Sequence, residues 1–285
     1  MRVSAVIPNR NGAGLIGRCV DAAIAAGAAE VLVVDDGSSD SSPAEAERAG
    51  AVVLPSPGRG FAAAVNAGAH RATGDSILVL NSDCFLERDA VTRLTGALAD
   101  DPGLGVCAAS LVETDGSPSK SHTPGLTPWL AIQTIFSLNP FTPRRSARGV
   151  EEVDTVPLAC AMIRRAAWDE VGGLDERFFF YFEDQDVCRR LHAAGWRVAV
   201  AWEATAVHVG GVSSVKRDER GWFLQFVRSR ARYLRKHYRV TWLAFAAVWV
   251  PAALVQAAVW SARRGPESRR WARTWLRAAW AGVGG

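Results

Sequence analysis

Ser76-Ile77-Leu78-Val79-Leu80-Asn81-Ser82-Asp83 sets a short apolar run directly against three side chains that carry oxygen. Too short for a helix and ended by turn-forming residues, the run reads as a strand buried on both faces. Four β-branched runs share its character: Val3–Ile7, Val31–Val34, Val52–Leu54 and Val106–Val112. Helical stretches fill the gaps at about residues 15–26, 43–49, 61–72 and 88–99. The second opens on Ser42-Pro43-Ala44-Glu45, whose spacing predicts a capping box with Pro at the first helical position. This alternation predicts an α/β fold, a mostly parallel sheet covered by helices on both faces. Such sheets bind ligands beyond the carboxyl ends of their strands. Asn9, Asp35-Asp36 and Asn81-Ser82-Asp83 stand at three such ends, so one edge is expected to gather all three.

Residues 113–152 are rich in Pro, Ser and Thr around one apolar run, Trp129–Leu138. A loop of that length inside a compact domain is usually functional or mobile. Beyond it the pattern predicts a strand over Val153–Arg164, a short helix over Ala166–Val171, a strand over Arg197–Ala201 and a basic helix over Gly221–His237.

Between these lies Phe178 to Trp196, FFFYFEDQDVCRRLHAAGW. Val187, Leu191 and Ala194 form the inward stripe of a helix starting near Glu183, with Cys188 beside it, and Asp184 falls on the same face. Asp186 has a partner four residues on, Arg190; Asp184 has none at helical spacing. A carboxylate in the first helical turn is favoured by the helix dipole and by free N–H groups. Asp184 therefore reads either as a helix-start acid or as a base facing a pocket.

The net charge of +4 on 285 residues conceals a split. From Lys216 onward fifteen Lys/Arg face three Asp/Glu, whereas residues 1–215 carry eighteen against twenty-six. An acidic body with a basic tail speaks against a nucleic-acid partner and for an anionic membrane surface. Val240–Ala262 is free of charge, broken by Pro251 and flanked by Arg on both sides. It is long enough to span a bilayer, but a single span would export the arginines that follow, against the positive-inside tendency. Trp271, Trp275 and Ala279 share one face beyond it, and Arg270, Arg273 and Arg277 another, the pattern of an interfacial helix. Monotopic attachment is the expectation; a true span and a core helix remain the alternatives. Met1 leads within two residues into Val3–Ile7, so no signal peptide is expected. Five scattered cysteines without CxxC spacing suggest neither zinc nor a disulfide framework, and reduced thiols follow.

Asn81 and Asp83, two apart at a strand end, suit a hard divalent cation carrying a diphosphate; Asn-Ser-Asp is equally turn chemistry. Asp35-Asp36-Gly37-Ser38-Ser39-Asp40 reads as a turn, or as carboxylates meeting a base and a ribose. Arg59, in Gly58-Arg59-Gly60-Phe61 ahead of the helix carrying Asn66, is placed to meet a phosphate. His208, followed by Gly210-Gly211, reads as structural or as a ligand. HExxH, GxSxG, Walker A and GxGxxG patterns are absent, which argues against zinc hydrolases, serine hydrolases, P-loop enzymes and dinucleotide folds.

Seven motifs stand in order across residues 6–214: VIPNRNG, VVDDGSSD, GRGFAAAVNAG, NSD, RRAAWDEVGGLDE, FFFYFEDQDVCRRLHAAGW and HVGGVSS. This series resembles the family 2 glycosyltransferases, in particular the bacterial rhamnosyltransferase and galactofuranosyltransferase-like branch. The resemblance implies a Rossmann-like GT-A fold over residues 1–215, with the 113–152 loop near the acceptor, and a helical membrane-associating extension over 216–285. It implies inverting transfer of a sugar, rhamnose first, from a dTDP- or UDP-sugar to a lipid-linked or glycan acceptor in cell-surface polysaccharide synthesis. The location implied is the cytoplasmic face of the plasma membrane. By position, Asp184 matches the general base and Asp83 the last acid of the metal triplet, with His208 beside it and Mg2+ or Mn2+ as the cofactor. Pro8, Asn9, Asp35, Asp36, Arg59, Asn66 and Asn81 fall on the donor side, and Glu183, Cys160 and Trp196 on the acceptor side. Asn81 replaces the first acid of the DxD form, and Pro157-Leu158-Ala159-Cys160 stands where the family often has a glycine-containing stretch. A nucleotidyltransferase on a similar core, or an inactive scaffold in which Asp83, Asp184 and His208 do not converge, are the competing readings.

Overall fold

The computed structural model describes residues 1–56, 58–135, 148–210, 219–263 and 265–284. The chain divides into two compact units, one of Met1–Gly125, Pro143–Phe179 and Glu183–Ser214, the other of Leu126–Thr142, Phe180–Phe182 and Val215–Gly285.

The first unit is built on strands β1 (Val3–Asn9), β2 (Glu30–Asp35), β3 (Val52–Pro55), β4 (Ser76–Leu80), β5 (Cys84–Leu86), β6 (Leu104–Val112), β7 (Val150–Glu152), β8 (Cys160–Arg164) and β9 (Arg197–His208). Among the described residues they form one mixed, mostly parallel sheet in the order β3-β2-β1-β4-β8-β6-β9-β5, with β7 paired to β9. β4 is buried along its whole length, as its unbroken apolar run requires. Period-two alternation divides each strand between two cores. Val3, Ala5 and Ile7 pack with helices α1 (Ile16–Ala25), α2 (Ser42–Arg48) and α4 (Ala90–Asp100) on one face. Val6, Ile77 and Val79 pack with α3 (Phe61–Arg71), α6 (Arg165–Val171) and α7 (Glu183–Ala193) on the other. Gly68 brings α3 down onto the sheet, since a Cβ there would collide with Val6 and Val34.

Several local expectations change. The strand expected over Val153–Arg164 forms only from Cys160; Pro157 has no N–H for a ladder, and Val150–Glu152 pairs separately with β9. β9 runs seven residues past the expected Ala201 and reaches His208. An irregularity makes this possible: Ala109 pairs with Ala201 but Ser110 with Thr205, so the extra residues bend the strand without ending it. β5 was not anticipated. The capping box does not close either, because Glu45 accepts from Ser41 Oγ at 2.6 Å and from the Gly14 N–H at 2.7 Å.

The second unit contains α5 (Pro128–Ile135), α8 (Glu219–Tyr238), α9 (Trp242–Ala262) and α10 (Pro266–Gly284). α9 contains Pro251 and is long and apolar enough to cross a bilayer by length and composition. On α10, Trp271 and Trp275 stay partly exposed while packing on neighbouring helices. Trp275 lies 4.6 Å from the Phe223 ring of α8, and Trp271 stacks 5.9 Å from Trp260 of α9. Exposed apolar side chains sit on α9, at Leu243, Leu254, Val255 and Val259, and at Trp280 of α10. Phe136–Leu138 of the central apolar run and Gly211–Ser214 of the HVGGVSS motif lie outside the described residues.

Candidate active site

The carboxyl ends of β1, β2 and β4 lie on one edge of the sheet, and the N-terminal end of β8 joins them because Cys160 pairs antiparallel with Leu80. β9 runs parallel to β6 and so delivers His208 to this edge. There β5 pairs with β9, Cys84 opposite His208, and the Val209 N–H donates to the Asp83 carbonyl at 3.0 Å. Asp83 Oδ1 and His208 Nε2 end 3.3 Å apart, with Asn81 Nδ2 3.5 Å from the same ring nitrogen. Asp83 is buried and His208 partly open.

This set, a carboxylate oxygen and an imidazole nitrogen with the Asn81 amide beside them, fits a divalent cation that keeps open positions for other oxygens. Asp83 and His208 are the residues that would hold it. Among the described residues no group of three or more His, Cys, Asp or Glu side chains gathers, so further ligands would come from a substrate or water.

At the β1 and β2 ends the structure sorts the expected residues by depth. Asn9 is buried, and its amide donates to Ser42 Oγ at 2.9 Å, Asp35 Oδ1 at 3.1 Å and Ser38 Oγ at 3.3 Å. It lies beneath the edge and shapes the Asp35 turn. Asp35 takes the Ser38 hydroxyl and N–H. Asp36 accepts from Ser56 Oγ at 2.6 Å and faces Arg10 at 3.6 Å. Pro8 lies on β1 opposite Val34, partly exposed.

Two donor-side candidates already have partners. Asn66 clasps the chain after α6: Nδ2 donates to the Leu174 carbonyl at 2.9 Å and to Glu176 at 3.1 Å, and Oδ1 accepts from the Leu174 N–H at 2.9 Å. Both amide N–H groups are thus spent within the protein. Arg59 is exposed but already pairs with Glu176 at 2.8 Å, so an incoming phosphate would have to compete. Both line an open groove of about 510 Å³ that continues past His70 and Arg165.

α7 descends from the same edge toward the start of β9. The chain before it is tied to the start of α3, where the Phe61 N–H donates to the Phe179 carbonyl at 2.9 Å. Gly60 permits this approach with a φ of 90° and no Cβ to strike that carbonyl. Tyr181 and Phe182, immediately before α7, hold φ of 69° and 66°. Left-handed backbone at two successive bulky residues costs on the order of 1–2 kcal/mol each, and no sequence signal announces it.

On α7, Val187, Cys188 and Leu191 are buried as the stripe predicts. Ala194 lies past the helix end and is exposed. Asp184 is half-buried; burial raises its pKa to about 6, and the Gln185 N–H at 2.7 Å opposes part of that rise. Glu183 is more deeply buried, with Oε2 unpartnered. Burial first, and the Asp184 charge second, push its pKa well above the carboxylate range. Asp184, with a pKa of about 6, is ionised at neutral pH. Asp186 pairs with Arg190 at 2.8 Å as expected, but it is fully buried rather than on the helix surface. Gln185, which sequence reasoning passed over, binds Thr123 Oγ1 at 2.8 Å and Thr155 Oγ1 at 3.0 Å and anchors the first turn.

Two acceptor-side expectations fail on placement. Cys160 is at the right edge but 1% exposed within the sheet core. Trp196 precedes β9 at the opposite edge, packed on Gly105 and donating to Glu170 at 2.8 Å. Glu183 is within reach of the edge only as a buried neighbour of Asp184.

The profile described as Glycosyl transferase family 2 matches residues 4–172. Over 201 residues the chain is 30% identical to an N-acetylglucosaminyl-diphospho-decaprenol L-rhamnosyltransferase of Mycobacterium tuberculosis, a match covering 62% of this chain. The chain thus spans 66% of that relative's length. It is 32% identical over 202 residues to an uncharacterised glycosyltransferase of Mycobacterium bovis, covering 70% of this chain and 84% of the relative. Among solved structures it resembles a mannosyltransferase of Pyrobaculum calidifontis in complex with GDP-Man and Mn2+, with a TM-score of 0.62 at 18% identity over 98% of this chain and 85% of that one. That likeness establishes the GT-A fold.

Proposed function

Since the chain belongs to glycosyl transferase family 2, we propose that it is an inverting glycosyltransferase using a nucleoside diphosphate sugar. Rhamnose from a dTDP donor is the first candidate, and galactofuranose from UDP the second. The observation that carries the reading is the meeting of Asp83 and His208 at 3.3 Å across the β5–β9 pair, on the edge where α7 starts, with Asp184 in its first turn. Asp36, Asp35 and Pro8 border the same edge and supply acceptors for a ribose and a base.

Inversion requires a base to take the proton of the acceptor hydroxyl as it attacks the anomeric carbon. Asp184 suits this task, for a carboxylate with a pKa of about 6 is ionised at neutral pH yet more basic than an ordinary one. Glu183 beside it has its pKa pushed upward by burial and by the Asp184 charge. A bound divalent cation would neutralise the charge developing on the departing diphosphate, and Asp83 and His208 would hold it. The M. tuberculosis relative's lipid-linked acceptor, the uncharged α9 and the basic tail support a lipid-linked acceptor at the cytoplasmic face of the plasma membrane.

Incubation with a panel of sugar nucleotides plus Mn2+ or Mg2+ is expected to release nucleoside diphosphate from one donor. Release of pyrophosphate would instead identify a nucleotidyltransferase, and no release with any donor and acceptor extract would favour an inactive scaffold. Mass spectrometry of the product assigns the sugar.

A further inference from the structure

α8 buries Val227, Ala231 and Leu234 along one stripe, and Arg230 lies in that stripe, three residues from the first and four from the last. It is 5% exposed. Three aromatic rings surround its guanidinium: Trp249 at 4.6 Å, Phe245 at 4.8 Å and Phe226 at 5.5 Å from Cζ. Ring faces attract the cation but offer no acceptor to N–H groups lying in the guanidinium plane. Among the described residues Nε and Nη2 have no hydrogen-bond partner. Burial draws the pKa of Arg230 down to about 10, which leaves it charged at neutral pH. A buried cation with unused donors is costly unless an anion completes it.

The two unused nitrogens are informative. Nε and Nη2 lie along one side of the guanidinium and present two parallel N–H bonds, the fork that grips two oxygens of one phosphate. Phe245 and Trp249 are buried, whereas Phe226 is 37% exposed and is the ring able to turn aside for an entering group. α9, which supplies two of the rings, carries exposed Leu243, Leu254, Val255 and Val259, a surface suited to an apolar chain. We propose that the Arg230 cage is a binding site for a phosphate group, carried by a lipid or free in solution. This proposal does not depend on the reaction proposed for the Asp83–His208 edge.

The test compares the full chain with Arg230→Met and Arg230→Lys in a neutral detergent, titrated calorimetrically with dodecyl phosphate and with inorganic phosphate. The wild-type chain is expected to bind dodecyl phosphate. Arg230→Met should weaken that binding by about 10- to 100-fold, the loss of charge-assisted hydrogen bonds. Arg230→Lys, which keeps the charge but not the fork, should fall between them. Without ligand, Arg230→Met should melt at or above the wild-type temperature because a lone buried charge is gone. Comparable binding of inorganic phosphate assigns a soluble anion; binding of dodecyl phosphate alone assigns a lipid. Wild-type binding to neither, or undiminished dodecyl phosphate binding by Arg230→Met with a lowered melting temperature, overturns the proposal and leaves Arg230 a packing residue. Nucleoside diphosphate binding, measured in parallel, should be the same in all three proteins, so failure here is distinguishable from failure of the donor site.

Discussion

Replacing Asp184 by Asn should make the protein more stable and far less active, and the two effects should separate with pH. The folded protein holds the Asp184 proton up to a pKa of about 6, whereas an ordinary Asp releases it near 3.8. Between these values the native state binds more protons than the unfolded state, so stability falls as pH rises through that window and stays lowered above it. The difference corresponds to about 3 kcal/mol. Asp184 is half-buried, so water carries part of the charge, and about 1–3 kcal/mol is the expected gain for Asp184→Asn at pH 7.5. The Asn oxygen can keep the bond from the Gln185 N–H, and the relief extends to Glu183, whose carboxyl the Asp184 charge pushes upward. Thermal or urea unfolding at pH 7.5 and pH 4 measures this: the mutant's advantage should be present at the first and nearly gone at the second. Transfer activity should fall by about 10²- to 10⁴-fold. In the wild type, kcat/KM at pH 5 should drop to roughly a tenth of its plateau as the base protonates. A mutant that melts no higher at pH 7.5, or keeps its full advantage at pH 4, refutes the burial argument. A mutant that remains active refutes the base.

Asp83→Ala and His208→Ala should each raise the Mn2+ concentration giving half-maximal activity by at least about tenfold, while the apo proteins bind nucleoside alone as before; unchanged metal dependence in both would remove the cation from this edge. Asn66→Ala deletes three hydrogen bonds to Leu174 and Glu176 and should cost about 2–3 kcal/mol in urea unfolding. Its donor affinity should be nearly unchanged, and a large selective loss of donor binding would return Asn66 to the ligand.

The edge was readable in sequence because strand ends are local signals. Asn9, Asp35-Asp36 and Asn81-Ser82-Asp83 each follow an apolar run, and the parallel order of β1, β2 and β4 brings them together without long-range information. His208 was harder. Its arrival depends on the irregularity opposite Ala109 and Ser110 and on the short strand β5, neither of which leaves a pattern in composition or period. Trp196 and Cys160 show the converse weakness. Their position in the family resemblance put them on the acceptor side, whereas β9 starts at the far edge and β8 buries its first residue. Asn66 follows the same rule, since an amide on an exposed-looking helix turn can be consumed by a neighbouring loop that sequence alone does not position.

Asp184 and Arg230 pose the same physical problem with opposite sign. Each is a charge in the apolar stripe of a helix, three or four residues from buried aliphatic side chains, and each has its pKa moved toward neutrality by burial. Asp184 was visible because α7 presents few apolar positions and one plainly misplaced acid. Arg230 was hidden among Arg228, Arg232, Arg235 and Lys236, where a basic face is the ordinary expectation and one inward member does not stand out. The distinction lies in what remains unsatisfied. Asp186 and Arg190 spend their charges on each other, so their burial is structural. Asp184 spends one carboxylate oxygen on the Gln185 N–H and Arg230 leaves Nε and Nη2 unpartnered among the described residues, and the roles proposed for both rest on that open capacity. A charge in a helical stripe therefore marks a site when its hydrogen-bonding capacity is left open, and only the folded chain reveals which charges those are.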